Sequence, residues 1–185
     1  MPWPKTKYLT GNWGMENPLL KNHQRIVTAV HTLLDRKKLY GIKVLEIGCG
    51  SGELLGKLAQ KGAEVHGIDF TKRLAELARA KGATVIECDA TQVDSHYPAG
   101  HFDAVITSLL LEESIMTRRK ASAIARKAAK LTKPGGVQIH LTVEPNLVLP
   151  AEFEKLGLQV VGNRFPLTGK AGNIGHMITL RKPQK

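Results

Sequence analysis

A chain of 185 residues is long enough for one globular domain and short for two. Hydrophobic residues at 42% and charged residues at 23% exclude wholesale disorder, and two cysteines exclude a multi-disulfide scaffold or a zinc finger. A formal net charge of +11 favours encounter with nucleic acid, anionic membrane surfaces or acidic substrates, although aromatics at 5% supply a poor stacking platform for single strands.

The start, Met1-Pro2-Trp3-Pro4-Lys5, lacks an apolar signal core, and no apolar run approaches the roughly 18 residues of a membrane span. A reducing cytoplasm is the expected compartment. Residues 1–17 are irregular, because Pro2, Pro4, Gly11 and Gly14 oppose any regular element. Trp3, Tyr8, Trp13 and Met15 are nevertheless apolar, so this arm is expected to pack on the domain or cover a pocket. Leu20, Ile26, Val27, Val30, Leu33 and Leu34 recur near helical spacing and predict one amphipathic helix over 19–38, ending before Gly41. Residues 1–40 thus form an arm and helix placed as a lid, and 41–185 the core.

Beyond Gly41 the period changes. Strands are predicted at 43–47, 64–69, 84–88, 102–107 and 137–143, with helices at 52–61, 72–81 and 116–132 between them. Lys133-Pro134-Gly135-Gly136 reads as the stop of the third of these helices. A short helix near 150–156 leads to two last strands near 158–164 and 175–181. Alternating strand and helix predict an α/β fold: a mostly parallel sheet with helices on both faces and right-handed crossovers. Ligands of such sheets sit beyond the carboxyl ends of the strands, where strand order reverses.

The strongest local signal is Val44-Leu45-Glu46-Ile47-Gly48-Cys49-Gly50-Ser51-Gly52, a strand running through three alternating glycines into a helix. A dinucleotide loop of the G-x-G-x-x-G type needs a glycine where Glu53 stands, and no Gly-Lys-Ser/Thr phosphate loop is present. Glu46, two residues before the first glycine, would repel a pyrophosphate and suits a ligand with positive charge. Asp69, at the end of the second strand, can accept the hydroxyls of a ribose, and Phe70 can cover an adenine. Asp89 ends the third strand and can accept from an exocyclic amine. The bland alternatives are a helix cap for Asp69 and a turn former for Asp89.

Leu45–Gly52, Gly67-Ile68-Asp69, Cys88-Asp89-Ala90, Phe102-Asp103-Ala104-Val105 and Lys133-Pro134-Gly135-Gly136 together resemble a class I (Rossmann-like) S-adenosylmethionine-dependent methyltransferase. The resemblance covers residues 41–143 well and the tail to 182 loosely. It implies a seven-stranded sheet whose last strand is antiparallel. It implies that Gly48, Cys49, Gly50 and Gly52 cradle the methionine part of S-adenosyl-L-methionine, with Glu46 near its ammonium. Asp69 and Phe70 would meet the ribose and adenine, Asp89 and Ala90 the adenine, and Thr107 and Ser108 would line the methyl-transfer mouth.

For the acceptor, absences are informative. The Asn/Asp-Pro-Pro-Tyr/Phe loop of adenine-N6 chemistry is replaced by Thr107-Ser108-Leu109-Leu110-Leu111-Glu112. Cytosine-C5 chemistry needs a cysteine nucleophile, and Cys49 and Cys88 read instead as small buried hydrophobes. Glu112, Glu113 and His140 are the candidates to orient an acceptor or take its proton. Each also has an ordinary reading, as a solvated helix start or a satisfied core histidine. Trp13, Tyr8, Ser108 and Leu109 are the candidate acceptor walls. No metal site is expected. A small-molecule acceptor is favoured. RNA or a protein side chain stays open because cations cluster at Arg36–Lys38, Arg118–Lys120, Arg126–Lys130 and the tail, and a non-catalytic cofactor-binding scaffold stays open too.

Overall fold

A computed structural model describes residues 20–113, 115–142, 147–168 and 174–184. The arm with Tyr8 and Trp13, the lid expected from it, and the glycine-rich 169–173 lie outside the described residues.

The first helix, α1 (Leu20–Leu33), stops five residues before the predicted end. Asp35 adopts a left-handed φ of 51°, Arg36 N–H reaches back to His31 C=O at 3.0 Å, and Asp35 N–H bonds Thr32 C=O at 3.3 Å. This is a Schellman-type ending with aspartate in place of glycine. The Arg181 guanidinium also donates to the Leu33 carbonyl at the same helix end.

Seven strands follow: β1 (Lys43–Ile47), β2 (Glu64–Asp69), β3 (Thr84–Glu87), β4 (Phe102–Ser108), β5 (Thr132–Thr142), β6 (Gln159–Thr168) and β7 (Ile174–Arg181). They form one sheet in the order β3-β2-β1-β4-β5-β7-β6. β7 runs antiparallel to both β5 and β6, and the other pairings are parallel. The chain crosses from one half of the sheet to the other between β1 and β4, which places the ligand-binding crevice at their carboxyl ends.

Helices cover both faces. α2 (Glu53–Ala59) and α3 (Lys72–Ala80) join α1 over Val44, Val65, Ala104, Ile106, Ile139 and Leu141. α4 (Arg118–Leu131) and α5 (Pro150–Lys155) close the other face over Leu45, Ile47, Ile68, Phe102 and Val105. Ala121, Ala125 and Ala128 of α4 are fully buried, so small side chains carry its contact with the sheet.

Two boundaries differ from expectation. Lys133–Gly136 does not separate helix from strand: β5 begins at Thr132, directly after α4, and Phe102 pairs with Thr132 before the register slips to Ala104–Val137. Gly135 N–H to Lys182 C=O (2.8 Å) and Lys182 N–H to Gly136 C=O (2.9 Å) supply the backbone partners that hold this irregular start. The segment 90–95, assigned no element from the sequence, is a 3-10 turn capped by Asp89.

Candidate active site

β1 delivers the chain into the glycine loop with Gly48 and Cys49 N–H both bonded to Ile68 C=O, at 2.7 and 2.9 Å. Asp69, at the end of β2, ties the loop down: one carboxylate oxygen accepts Gly50 N–H at 2.9 Å and the other accepts Thr71 N–H at 2.8 Å. Gly52 combines a φ of 75° with a close approach, since a Cβ there would lie 2.7 Å from Ala78 Cβ on α3. Gly67, which the sequence showed only as part of a motif, is required as well, because its Cβ would sit 2.6 Å from Cys49 Sγ. At Gly50 a Cβ would meet nothing within 4 Å. The loop is therefore packed hard from below and open where a ligand would lie.

Glu46 faces this loop from β1, beside Gly67 of β2 and Ile106 of β4. It is 3% exposed, and its Oε2 has no hydrogen-bond partner. Burial first, and the Asp69 charge second, hold its carboxyl well above the usual carboxylate range. Asp69 is also raised by burial, against which the Thr71 and Gly50 N–H bonds act. A buried carboxylate without a partner is costly unless something cationic completes it. Such a donor set fits the ammonium group of S-adenosylmethionine and would oppose an anionic ligand.

The rest of the rim follows the strand ends. Phe70 is half exposed beside Asp69. Asp89 is exposed, and it accepts from Thr91 N–H at 2.8 Å and the Thr91 hydroxyl at 2.6 Å, with Ala90 next in the turn. Asp89 caps the 3-10 turn and can still take a ligand, because carboxylate oxygens accept more than one bond, whereas Asp69 bonds the Thr71 that precedes α3 and is not itself the cap. Burial pushes the Cys49 thiol strongly up, with Glu46 and Asp69 adding to it, and burial raises Cys88 too. Neither is a ready thiolate.

On the facing side, β4 ends in Thr107 and Ser108, with Leu109 next. Leu109 holds a φ of 58°, and its N–H bonds Leu141 C=O at 2.7 Å. That turn lays Leu110, in the apolar stretch after the fourth strand, within 3.0 Å of the position a Gly48 Cβ would take. Leu147 N–H to Leu111 C=O at 3.2 Å joins the loop after β4 to the one after β5. Glu112 is buried and its backbone carbonyl accepts from Ile115 and Met116, while Glu113 is exposed.

His140 lies in β5, as expected, and takes the core-histidine reading of the two open for it. It is fully buried, stacked on Phe153 of α5 at 4.8 Å, and both ring nitrogens are engaged. Thr107 Oγ1 lies 2.9 Å from Nδ1 and Gln138 Oε1 3.0 Å from Nε2. Gln138 Nε2 donates to Thr132 Oγ1 at 2.9 Å, and that hydroxyl donates to Ala128 C=O at 2.7 Å. The carbonyl fixes the direction of the whole relay. His140 must carry its proton on Nε2 and accept from the Thr107 hydroxyl on Nδ1. Burial lowers its pKa to about 3, so it stays neutral. A ring so occupied is not placed to act as a general base. The signal in the sequence was the polar alternation Gln138-x-His140-x-Thr142 on one strand face, and its partner Thr107 is 33 residues away.

Residues 44–136 match the family described as "Methyltransferase domain". The chain is 32% identical over 154 residues to a ubiquinone biosynthesis O-methyltransferase of Proteus mirabilis, covering 76% of this chain and 61% of that protein. It thus spans about three-fifths of the length of that curated relative. Its fold superposes on magnesium protoporphyrin IX methyltransferase from Synechocystis with bound SAM (TM-score 0.70, 22% identity, 96% of this chain and 89% of that one). It also superposes on 1,6-didemethyltoxoflavin-N1-methyltransferase from Burkholderia thailandensis with its acceptor and S-adenosylhomocysteine (TM-score 0.76, 16% identity, 97% and 85%). The matched segment runs from β1 through the glycine loop to the start of β5 and contains Glu46, Asp69 and Asp89, so the chain belongs to the methyltransferase-domain family.

Proposed function

We propose that the protein is an S-adenosylmethionine-dependent methyltransferase acting on a small-molecule acceptor. The observation that carries this is Glu46, a buried carboxylate with an orphaned oxygen beside a glycine loop that is open at Gly50. When bound, S-adenosylmethionine supplies a sulfonium-borne methyl group for in-line displacement.

Glu46 would receive the ammonium, while Gly48, Cys49, Gly50 and Gly52 give the backbone surface under the methionine part. Asp69 would accept from the ribose with the second lone pair of each carboxylate oxygen, since each oxygen takes only one backbone bond. Phe70 offers its exposed ring, and Asp89 and Ala90 meet the base. Thr107, Ser108 and Leu109 shape the mouth, where alignment and exclusion of water do most of the work. Glu112 and Glu113 would orient the acceptor, and Tyr8 and Trp13 would wall it in beneath a lid formed by 1–40.

The choice of a small acceptor is supported by the names of the three relatives, each of which includes a small molecule. Two free cysteines suit a cytoplasmic protein, and among the described residues no helix is long and apolar enough to cross a membrane. The test is incubation with methyl-labelled S-adenosylmethionine and a cell extract, then separation into metabolites, RNA and protein. Label in the metabolite fraction is expected. Label confined to RNA or protein overturns the acceptor, and binding without transfer to any fraction leaves only a cofactor-binding scaffold.

A further inference from the structure

Glu46 and Asp69 form a pair of buried carboxylates on neighbouring strands, and the two are served very differently. Asp69 is 7% exposed and has a backbone N–H on each oxygen. Glu46 is 3% exposed with Oε2 unpartnered, and no ion pair among the described residues includes it. Two adjacent carboxylates do not both ionise cheaply in a dry site, and the proton goes to the one with fewer donors.

The charged surroundings agree. From β2 the group acting on Glu46 is Asp69, whose negative charge pushes the Glu46 carboxyl further up. In the loop, Cys49 is held as a thiol. From α3, Arg79 acts on Cys49, but its guanidinium is bonded to Val85 C=O at 2.9 Å. From α1, burial and then Lys57 of α2 disfavour a cation on His23, against which Glu53 acts. From β4, the adjoining positions are Ile106 and neutral Thr107.

We propose that Glu46 carries a proton while the site is empty and releases it when a ligand bearing an ammonium group binds. This rests on the site being that of S-adenosylmethionine. The balance is simple: the Glu46 O–H bond breaks, its proton passes to solvent, and the carboxylate left behind pairs with the ligand's ammonium. Binding is then linked to pH. Affinity rises by up to roughly tenfold per pH unit while the free site is protonated, and levels off once the empty site has ionised.

The experiment is calorimetric titration of the full chain with S-adenosylhomocysteine, which bears the ammonium and cannot transfer a methyl group. It is run at several pH values below the ammonium's own titration, each in buffers of different ionisation enthalpy. The expected result is release of close to one proton per ligand at low pH, declining to none as pH rises, and no release with Glu46→Gln. A second readout needs no ligand. The stability of the empty protein should fall with rising pH through this window, because the unfolded chain gives up the Glu46 proton first, and Glu46→Gln should remove that fall. Binding of S-adenosylhomocysteine without proton release, or release that persists in Glu46→Gln, overturns the proposal and leaves the cofactor assignment standing. No binding at any pH overturns the cofactor assignment, and the proposal with it.

Discussion

Asp69 and Gly52 set the loop geometry through different physics, and single substitutions separate them. Replacing Asp69 with Ala removes the acceptors of Gly50 and Thr71 N–H from a mostly buried turn. Leaving buried donors unsatisfied costs about 1–3 kcal/mol each. Asp69→Ala should therefore lower the melting temperature and weaken S-adenosylhomocysteine binding at least tenfold, read by thermal melts and calorimetry. An unchanged affinity would remove Asp69 from the ribose. Gly52→Ala adds a methyl 2.7 Å from Ala78 Cβ at a left-handed φ. The conformational and overpacking terms together come to about 2–5 kcal/mol, and Ala78→Gly in the same chain should recover part of it. Glu46 and Asp69 were legible in the sequence because a carboxylate at a strand end next to a glycine loop has few other uses. The contact of Leu110 with Gly48 was not, since only the left-handed turn at Leu109 brings it there.

At the level of elements, the relay from Thr107 through His140, Gln138 and Thr132 to the α4 carbonyl of Ala128 fastens β4, β5 and α4 together. A histidine held neutral at about 3 binds fewer protons than it does unfolded, near 6.5. Its contribution to stability is thus complete above pH 6.5 and declines by up to roughly 1.4 kcal/mol per unit as pH falls toward 3. Chemical denaturation between pH 7 and 4 should show His140→Gln with a flatter dependence than the native chain. Equal slopes would mean that the ring is protonated without penalty. The type and succession of the elements were readable because short, continuous apolar runs, buried on both faces, alternate with segments of period 3.6. The ends were harder. α1 stops at a left-handed Asp35 where glycine was the expected signal, and Lys133–Gly136 looks like a break only until Lys182, just past β7, supplies its hydrogen-bond partner.

Across the whole molecule the parallel sheet sorts charge by strand direction. Glu46, Asp69 and Glu87 close the carboxyl ends of β1, β2 and β3, whereas Arg36, Lys37, Lys38 and Lys61 lie in the turns that precede β1 and β2. Arg119, Lys120 and Arg126 add exposed cations along α4. The net charge of +11 is therefore largely an outer-surface property, and the ligand crevice has the opposite sign. Salt should then act on two processes in different ways. Self-repulsion among exposed cations is screened as the Debye length shrinks from about 30 Å at 0.01 M to about 8 Å at 0.15 M. The exposed ion pairs that salt also weakens, such as Arg118–Glu152 and Lys130–Asp94, are each worth about 0–1 kcal/mol. Repulsion dominates, so the melting temperature should rise by a few degrees between low salt and 0.2 M, by calorimetry. Over the same range S-adenosylhomocysteine affinity should change less than about threefold, because Glu46 and Asp69 are buried and poorly screened. A melting temperature that falls with salt would show that the surface ion pairs outweigh the excess charge. An affinity that collapses with salt would place the ligand on the cationic exterior and not in the acidic crevice.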